Sequence, residues 1–350
     1  MKVAVTGAAG FVGRRLVRAL AATGHEVLAL DVAAPAQPFG GSVTFRRVDV
    51  LEGSLAVELE AVEAVVHLAF QMDPIRDARK MRRVNIDGTR NVFECAEEAG
   101  VGRVVHLSSA VAYGAHADND FPLTEKSPLR GNADFGYANM KAEVEEWLWP
   151  WADQHDGVAV TVLRPSIILG PGVRNFITKS FEMPRVVSVS GHRPPWQFTH
   201  VDDVVRVIQH VLDNDLDGPF NVAPEGWLSA DEVEAILGRR SVRLPEEVAF
   251  ALAERMWEAG VGHADAGIVH FIMHPWVVSV DRLVGTGFRF LHSNRDALAE
   301  FAAASRPWVT LGNVRARRST VAGIGLLGLA AAAGITAAGV RAWRRRGDDD

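Results

Sequence analysis

The sequence predicts an α/β protein built on a doubly wound parallel sheet, with a smaller lobe towards the C-terminus. Three observations carry this. Short apolar runs such as AVVHLA at 64–69 alternate with longer segments of helical spacing, the pattern of strands covered on both faces by crossover helices. A glycine string, Thr6-Gly7-Ala8-Ala9-Gly10-Phe11-Val12-Gly13, falls where the first strand meets the first helix. After Pro165 the rhythm breaks, with Gly170-Pro171-Gly172, Pro184 and Pro194-Pro195 crowding in.

Residues 2–6 read as the first strand, and 13–23 carry Leu16, Val17 and Leu20 at helical spacing before Gly24 stops them. Strands follow at 26–31, 43–48 and 64–69. A long helix is predicted over 81–99, ended by Gly100, then a strand at 103–109. Residues 135–153 read as a helix interrupted or ended near Pro150, and 158–165 as a further strand. The expected division is a core over 1–166, rejoined by 198–223, and a lobe made of 167–197 and 224–312. A basic tail, 313–350, completes the chain.

The 350 residues are 48% apolar and 23% charged, ordinary for a large globular domain with an appendage. A single Cys95 excludes an internal disulfide and suits a reducing compartment. No secretory signal is expected, because a strand and glycines occupy the start. Of the net charge of −6, residues 315–350 hold seven Arg and three Asp, which leaves the preceding residues at −10. An acidic body argues against nucleic acid as the main partner.

Gly7, Gly10 and Gly13 at a strand–turn–helix junction permit a tight turn and close backbone approach to phosphate, with helix N–H groups as donors. Asp31 closes the second strand. A carboxylate there accepts from ribose hydroxyls and repels a 2′-phosphate, so NAD is expected rather than NADP. Arg14 and Arg15 are expected to face solvent. His67 and Cys95 are read as packing residues.

Tyr137 and Lys141 are spaced i,i+4 and share one helix face. An ammonium there is expected to lower the phenol's pKa and make it a general acid/base. Ser108-Ser109 precede them at the C-terminal end of a strand, the edge where open parallel sheets bind ligands.

With these segments in place, the chain resembles the extended short-chain dehydrogenases/reductases, the NAD-dependent epimerase/dehydratase family. The matching strings are TGAAGFVG (6–13), VDV (48–50), HLAF (67–70), VNIDGTRNVFECA (84–96), HLSSAVAYG (106–114), YANMK (137–141), LRPSIILGPG (163–172), FTHVDDVV (198–205) and FNVA (220–223). The resemblance implies a Rossmann core binding NAD and a small-molecule substrate. It implies that Ser109 hydrogen-bonds the substrate oxygen, Tyr137 exchanges its proton, and Lys141 tunes Tyr137 while holding the nicotinamide ribose. Asp49 and Val50 would bracket the adenine. Phe11, Val12, Leu68, Ala69 and Pro165 would line the cofactor. Asn85 would support the Lys141 side through a kinked helix or water, or else serve as a helix N-cap. No metal is implied.

Two departures bear on the substrate. Dehydratases of this family follow the catalytic Ser or Thr with Asp-Glu, whereas Ala110 and Val111 stand here, so dehydration is not expected. Nucleotide-sugar members place an Arg five residues before the Val of HVDD to pair with the diphosphate. Trp196 stands there, and an indole does not replace a guanidinium on phosphate; Arg193 and Arg174 are the available substitutes. The second lobe instead carries Trp227, Trp257, Phe271, Trp276 and Phe288, with Met256 and Met273. Two enzyme readings result: a nucleotide-sugar epimerase reusing one NAD, or a dehydrogenase/reductase of a more apolar, steroid-like or aldehyde/ketone substrate. A non-catalytic NAD-binding scaffold is the third.

The segment 321–340, VAGIGLLGLAAAAGITAAGV, is uncharged and flanked by arginines. As a helix it reaches ~30 Å, enough for a bilayer core, and predicts a membrane anchor on a cytoplasmic body, with an amphitropic or disordered Ala/Gly tail, or a helix packed on the enzyme body, as the alternatives. Trp147, Trp149 and Trp151 predict either a homodimer interface on the Tyr137 helix or packing against its neighbour within one chain.

Overall fold

The computed structural model describes residues 1–75, 77–311 and 314–317. Its strands are β1 (Lys2–Thr6), β2 (Glu26–Asp31), β3 (Val43–Arg47), β4 (Ala64–His67), β5 (Arg103–Leu107), β6 (Ala159–Pro165), β7 (Ile167–Leu169), β8 (Val186–Val189), β9 (Phe198–His200), β10 (Gly218–Val222), β11 (Ser241–Leu244) and an antiparallel pair, β12 (Trp308–Leu311) and β13 (Val314–Arg317). The helices are α1 (Gly13–Ala22), α2 (Leu55–Glu58), α3 (Ala78–Arg82), α4 (Gly88–Glu98), α5 (Gly136–Ala152), α6 (Phe176–Glu182), α7 (Val201–Asp213), α8 (Ala230–Leu237), α9 (Glu246–Glu258), α10 (Asp281–Gly285) and α11 (Asn294–Ser305).

Seven strands pair in parallel in the order β10-β6-β5-β4-β1-β2-β3. The predicted doubly wound sheet is therefore present. Apolar residues cover both of its faces. On one, Leu16, Val17 and Leu20 of α1 meet Val204, Ile208 and Val211 of α7. On the other, Val92 and Phe93 of α4 meet Leu148 and Trp151 of α5. Each such fully buried side chain contributes about 1.5–3 kcal/mol.

Three elements differ from expectation. The helix predicted over 81–99 starts earlier, at α3, where the Asp77 carboxylate accepts from the Lys80 N–H at 2.9 Å. It then widens into a π turn, Arg83–Asp87, before continuing as α4. The Thr89 hydroxyl donates to the Asn85 carbonyl at 2.7 Å, and such a side-chain competitor for the backbone acceptor disturbs the regular ladder. Second, the strands predicted at 64–69 and 103–109 end two residues sooner, at His67 and Leu107, so Leu68, Ala69, Ser108 and Ser109 turn out of the sheet. Third, α5 runs through Pro150 to Ala152, so the proline costs the last turn one backbone N–H donor without ending the helix.

The tryptophans pack within the chain: the Phe93 ring meets Trp151 edge-on at 5.3 Å and Trp147 at 6.1 Å. Arg14 and Arg15 do not simply face solvent. The Arg15 guanidinium lies 4.1 Å from the Phe11 ring and donates to the Pro171 carbonyl, tying the glycine loop to the second lobe.

In the second lobe β7 pairs with β9 and β8 with β11. Phe135, Phe176, Phe181, Phe198, Phe271 and Trp276 form its buried aromatic cluster. Phe288 belongs elsewhere, against α7 on the sheet side. Trp227 is exposed on Phe121. The predicted membrane segment, 321–340, lies outside the described residues; among the described residues, no helix is long and apolar enough to cross a membrane.

Candidate active site

The strand order reverses between β1 and β4, and ligand crevices in open α/β sheets form at that point. A cleft of about 400 Å³ opens there. One wall is the glycine loop, through Gly7, Gly10, Phe11, Val12 and Gly13. The other carries Ser109, Tyr137 and Lys141, with Leu68, Phe70 and Pro165 between.

The loop needs its glycines. Gly7 has φ +67°, and a Cβ there would stand 2.7 Å from the Ala69 nitrogen. A Cβ on Gly13 would stand 2.2 Å from the Gly7 carbonyl oxygen. The backbone is thus drawn against β4, and the N-terminus of α1 faces the cleft with no side chain capping it. Such a cradle fits a pyrophosphate. Thr6 braces it from beneath: its hydroxyl meets His67 Nδ1 at 2.8 Å and accepts from the Leu68 and Ala69 N–H groups at 3.3 Å. His67 Nε2 meets the Thr89 hydroxyl at 3.0 Å, and burial pushes its pKa down to about 3. It is the packing residue expected.

Tyr137 is hydrogen-bonded to the Ser109 hydroxyl. Lys141 Nζ donates to the Leu107 carbonyl at 2.8 Å and lies over the Phe70 ring. The expected electrostatics differ here. Burial pushes the Tyr137 phenol up to about 12, opposed only by the Ser109 hydrogen bond. Burial likewise draws Lys141 down to about 7, with Glu145 acting to raise it. Desolvation of the buried phenol therefore outweighs the favourable contact it makes, and Lys141 does not offset it.

Asn85 lies inside the π turn and is not an N-cap. Its side chain accepts from the Gln71 N–H at 2.7 Å and donates to the Gln71 carbonyl at 3.1 Å. It therefore clamps the turn that presents Phe70 to Lys141. Asp31 accepts from the Ala9 N–H at 2.9 Å and from Ala33 at 2.9 Å, so it also anchors the glycine loop. Asp49 accepts from the Leu51 N–H at 3.0 Å. Val50 is buried against Gly88. Asp31, Asp49, Val50, Ala69 and Asn85 do not line this cleft; Gly7, Gly10, Phe11, Val12, Gly13, Leu68, Ser109, Tyr137, Lys141 and Pro165 do.

Two residues escaped the sequence reading. Phe70 has no local signal beyond following HLA. Glu145 had one, its i,i+4 spacing from Lys141. Fully buried, it accepts from Ser108 at 2.6 Å and pairs with Arg164 at 2.6 Å. Arg164 donates to the Tyr113 hydroxyl at 2.7 Å, which donates to Asn221 at 2.8 Å. This network fixes α5 to β5, β6 and β10.

The sheet, glycine cradle and Ser/Tyr/Lys constellation define a protein of the extended short-chain dehydrogenase/reductase class. The chain belongs to the NAD dependent epimerase/dehydratase family, whose profile matches residues 3–223. An uncharacterized protein of Mycobacterium tuberculosis, Rv0501, is 26% identical over 260 residues, covering 71% of this chain and 69% of the relative. A UDP-glucose 4-epimerase of Lactobacillus helveticus is 30% identical over 172 residues, covering 47% of this chain and 51% of that one. Among solved structures, MoeE5 in complex with UDP-glucuronic acid and NAD superposes with a TM-score of 0.69 at 26% identity, covering 87% of this chain and 99% of that one. The UDP-glucose 4-epimerase of Thermotoga maritima with UDP-glucose, at 20% identity and a TM-score of 0.68, covers 87% of this chain and 99% of its own and shares the fold.

Proposed function

We propose that this chain is an NAD-dependent oxidoreductase acting at a secondary alcohol or ketone of apolar character. The observation that carries the reading is the Ser109–Tyr137 hydroxyl pair facing a glycine cradle across one cleft. NAD, when bound, supplies the hydride acceptor or donor. Gly7, Gly10, Phe11, Val12, Gly13 and the α1 N-terminus would hold the pyrophosphate. Asp31, Asp49, Val50, Leu68, Ala69 and Pro165 would flank the remainder, and the Asp31 charge would exclude a 2′-phosphate. Ser109 orients the substrate oxygen. Tyr137, held protonated by burial, delivers its proton to a carbonyl oxygen in reduction and receives it in oxidation. Lys141, drawn to about 7, carries a charge that varies across neutral pH.

The apolar character rests on the second lobe next to the cleft. Trp196 is stacked on Phe198 and meets Phe181 edge-on. Arg193, one of the expected substitutes, is paired with Asp231 and Glu234. Ala110 and Val111 provide no titratable group for dehydration. A second reading, nucleotide-sugar epimerisation, is favoured by Arg174 at the cleft and by the ligands named for MoeE5 and the Thermotoga enzyme. The test is incubation of the purified protein and NAD with alcohols and with UDP-sugars. Sustained formation of reduced nicotinamide from an alcohol supports the proposal. Interconversion of UDP-sugars without it establishes the second reading. NAD binding without turnover of either would leave a scaffold.

A further inference from the structure

Two further cavities of the second lobe lie next to the cleft. Val111, Ile167, Ile177 and Trp276 form a wall shared with a second cavity of about 60 Å³. Phe181, Trp196, Ile268 and Ile272 form a wall shared between that cavity and a third, of about 150 Å³, which ends against α9 beside Leu252 and Met256. No charged side chain lines the second or third cavity. Apart from the two indoles, only Ser180 and His263 bring polar side chains, and the Ser180 hydroxyl donates back to the Phe176 carbonyl. Water gains few partners in such a space, and hydrocarbon loses none.

The helix at the far end suits a chain-shaped occupant. Of α9 only Ala249 is fully buried, and Ala249 and Ala253 are the small residues it presents to the third cavity. Val248, Leu252 and Val261 remain 48%, 42% and 43% exposed around the outer end. The second cavity, of about 60 Å³, is the smallest of the three, which disfavours a fused ring system there.

We infer that the three spaces form one apolar tunnel that takes the unbranched hydrocarbon chain of the substrate, with the reacting carbon beside Tyr137 and the chain end at α9. The inference rests on the hydride-transfer reading of the cleft and names its substrate class: a long-chain secondary alcohol or ketone. Trp196, standing where diphosphate-binding relatives would need a guanidinium, is in this arrangement part of the tunnel wall.

Two measurements test it independently. The first is binding of cis-parinaric acid, read by its fluorescence, to wild type and to Ala253→Trp and Ile268→Trp, which fill the outer cavity and the junction; circular dichroism checks folding. Wild type should bind saturably, and each folded variant at least tenfold more weakly with NAD affinity unchanged. No binding, or equal binding by wild type and a folded variant, overturns the tunnel. The second is reduction of butan-2-one, octan-2-one, dodecan-2-one and a steroid ketone with NADH. In wild type kcat/KM should rise about fourfold per methylene until the tunnel is filled, and Ala253→Trp should erase the gain. A steroid ketone preferred over dodecan-2-one overturns the chain-shaped substrate. Parinaric acid binding lost in the variants with no ketone reduced sinks the reaction reading and leaves the tunnel standing.

Discussion

Lys141 Nζ stands 3.5 Å from the centroid of the Phe70 ring while donating to the Leu107 carbonyl at 2.8 Å. The ring face and one carbonyl are the ammonium's nearest stabilising partners in a fully buried setting, with the Glu145 charge farther along the same helix. A desolvated cation–π contact of this kind is worth about 2 kcal/mol. Phe70 thus holds in place a charge that burial would otherwise remove.

Replacing Phe70 with Leu should therefore lower the Lys141 pKa further, by up to about one unit. The limb of the kcat/KM profile governed by Lys141 should move to lower pH. A profile superimposable on wild type would show that the ring does not support the ammonium.

The depressed Lys141 pKa also sets a stability trend. Its folded value is about 7 against the usual 10.5. Between those values the unfolded chain binds a proton that the folded chain lacks, so stability should rise with pH across that window. Urea unfolding at about pH 7 and about pH 9 should show the rise in wild type, by a few kcal/mol at most, and its loss in Lys141→Met. Equal slopes in the two proteins would argue against a depressed Lys141.

Tyr137→Phe removes the proton and keeps the ring packed against Phe70 and Phe176. We expect kcat to fall by at least about a hundredfold with NAD affinity nearly intact by calorimetry. Retained turnover would rule out the phenol as the acid/base.

Gly7→Ala places a methyl 2.7 Å from the Ala69 nitrogen at a positive φ. The loop must move, and NAD affinity should drop sharply in titration calorimetry while the sheet, read by far-UV circular dichroism, persists. Wild-type affinity would show that the loop does not carry the pyrophosphate.

Arg164→Met leaves Glu145 buried without its partner, and breaking such a pair costs about 3–5 kcal/mol. Glu145→Gln with Arg164→Met together should recover part of the loss. The check is the denaturation midpoint of the single and double variants; an undiminished single variant would contradict the account of the network.

Much of this architecture was legible in the chain because parallel strands buried on both faces read as apolar runs. Thr6, Gly7 and Gly13 announced the cradle, and Tyr137 with Lys141 announced the reacting groups. What escaped depends on contacts between residues distant in sequence. The turn of 68–71 out of the sheet follows from Thr6 capturing the Leu68 and Ala69 N–H groups, and no local pattern reports that. The π turn coincides with the Thr89 hydroxyl on the Asn85 carbonyl and with the Asn85 side chain clamped by the Gln71 backbone, the latter a contact between separate segments. The upward push on the Tyr137 phenol comes from the aromatic cluster of the second lobe, where the helix spacing to Lys141 carried no information about burial.

The short parallel pair β7 and β9 joins Ile167–Leu169 to Phe198–His200, directly after β6 and directly before α7. Because the pair is parallel, residues 170–197 leave beside His200 and return at Phe198 beside Ile167, crossing over the length of the ladder. Both ends are held by one short ladder outside the main sheet, so the segment's length can vary without altering the spacing of the seven main strands. Inside it β8 is laced to β11, and the outer cavity is lined from α9 and from Ile268 and Ile272, so transferring selectivity between relatives requires 170–197 and 224–312 to move together.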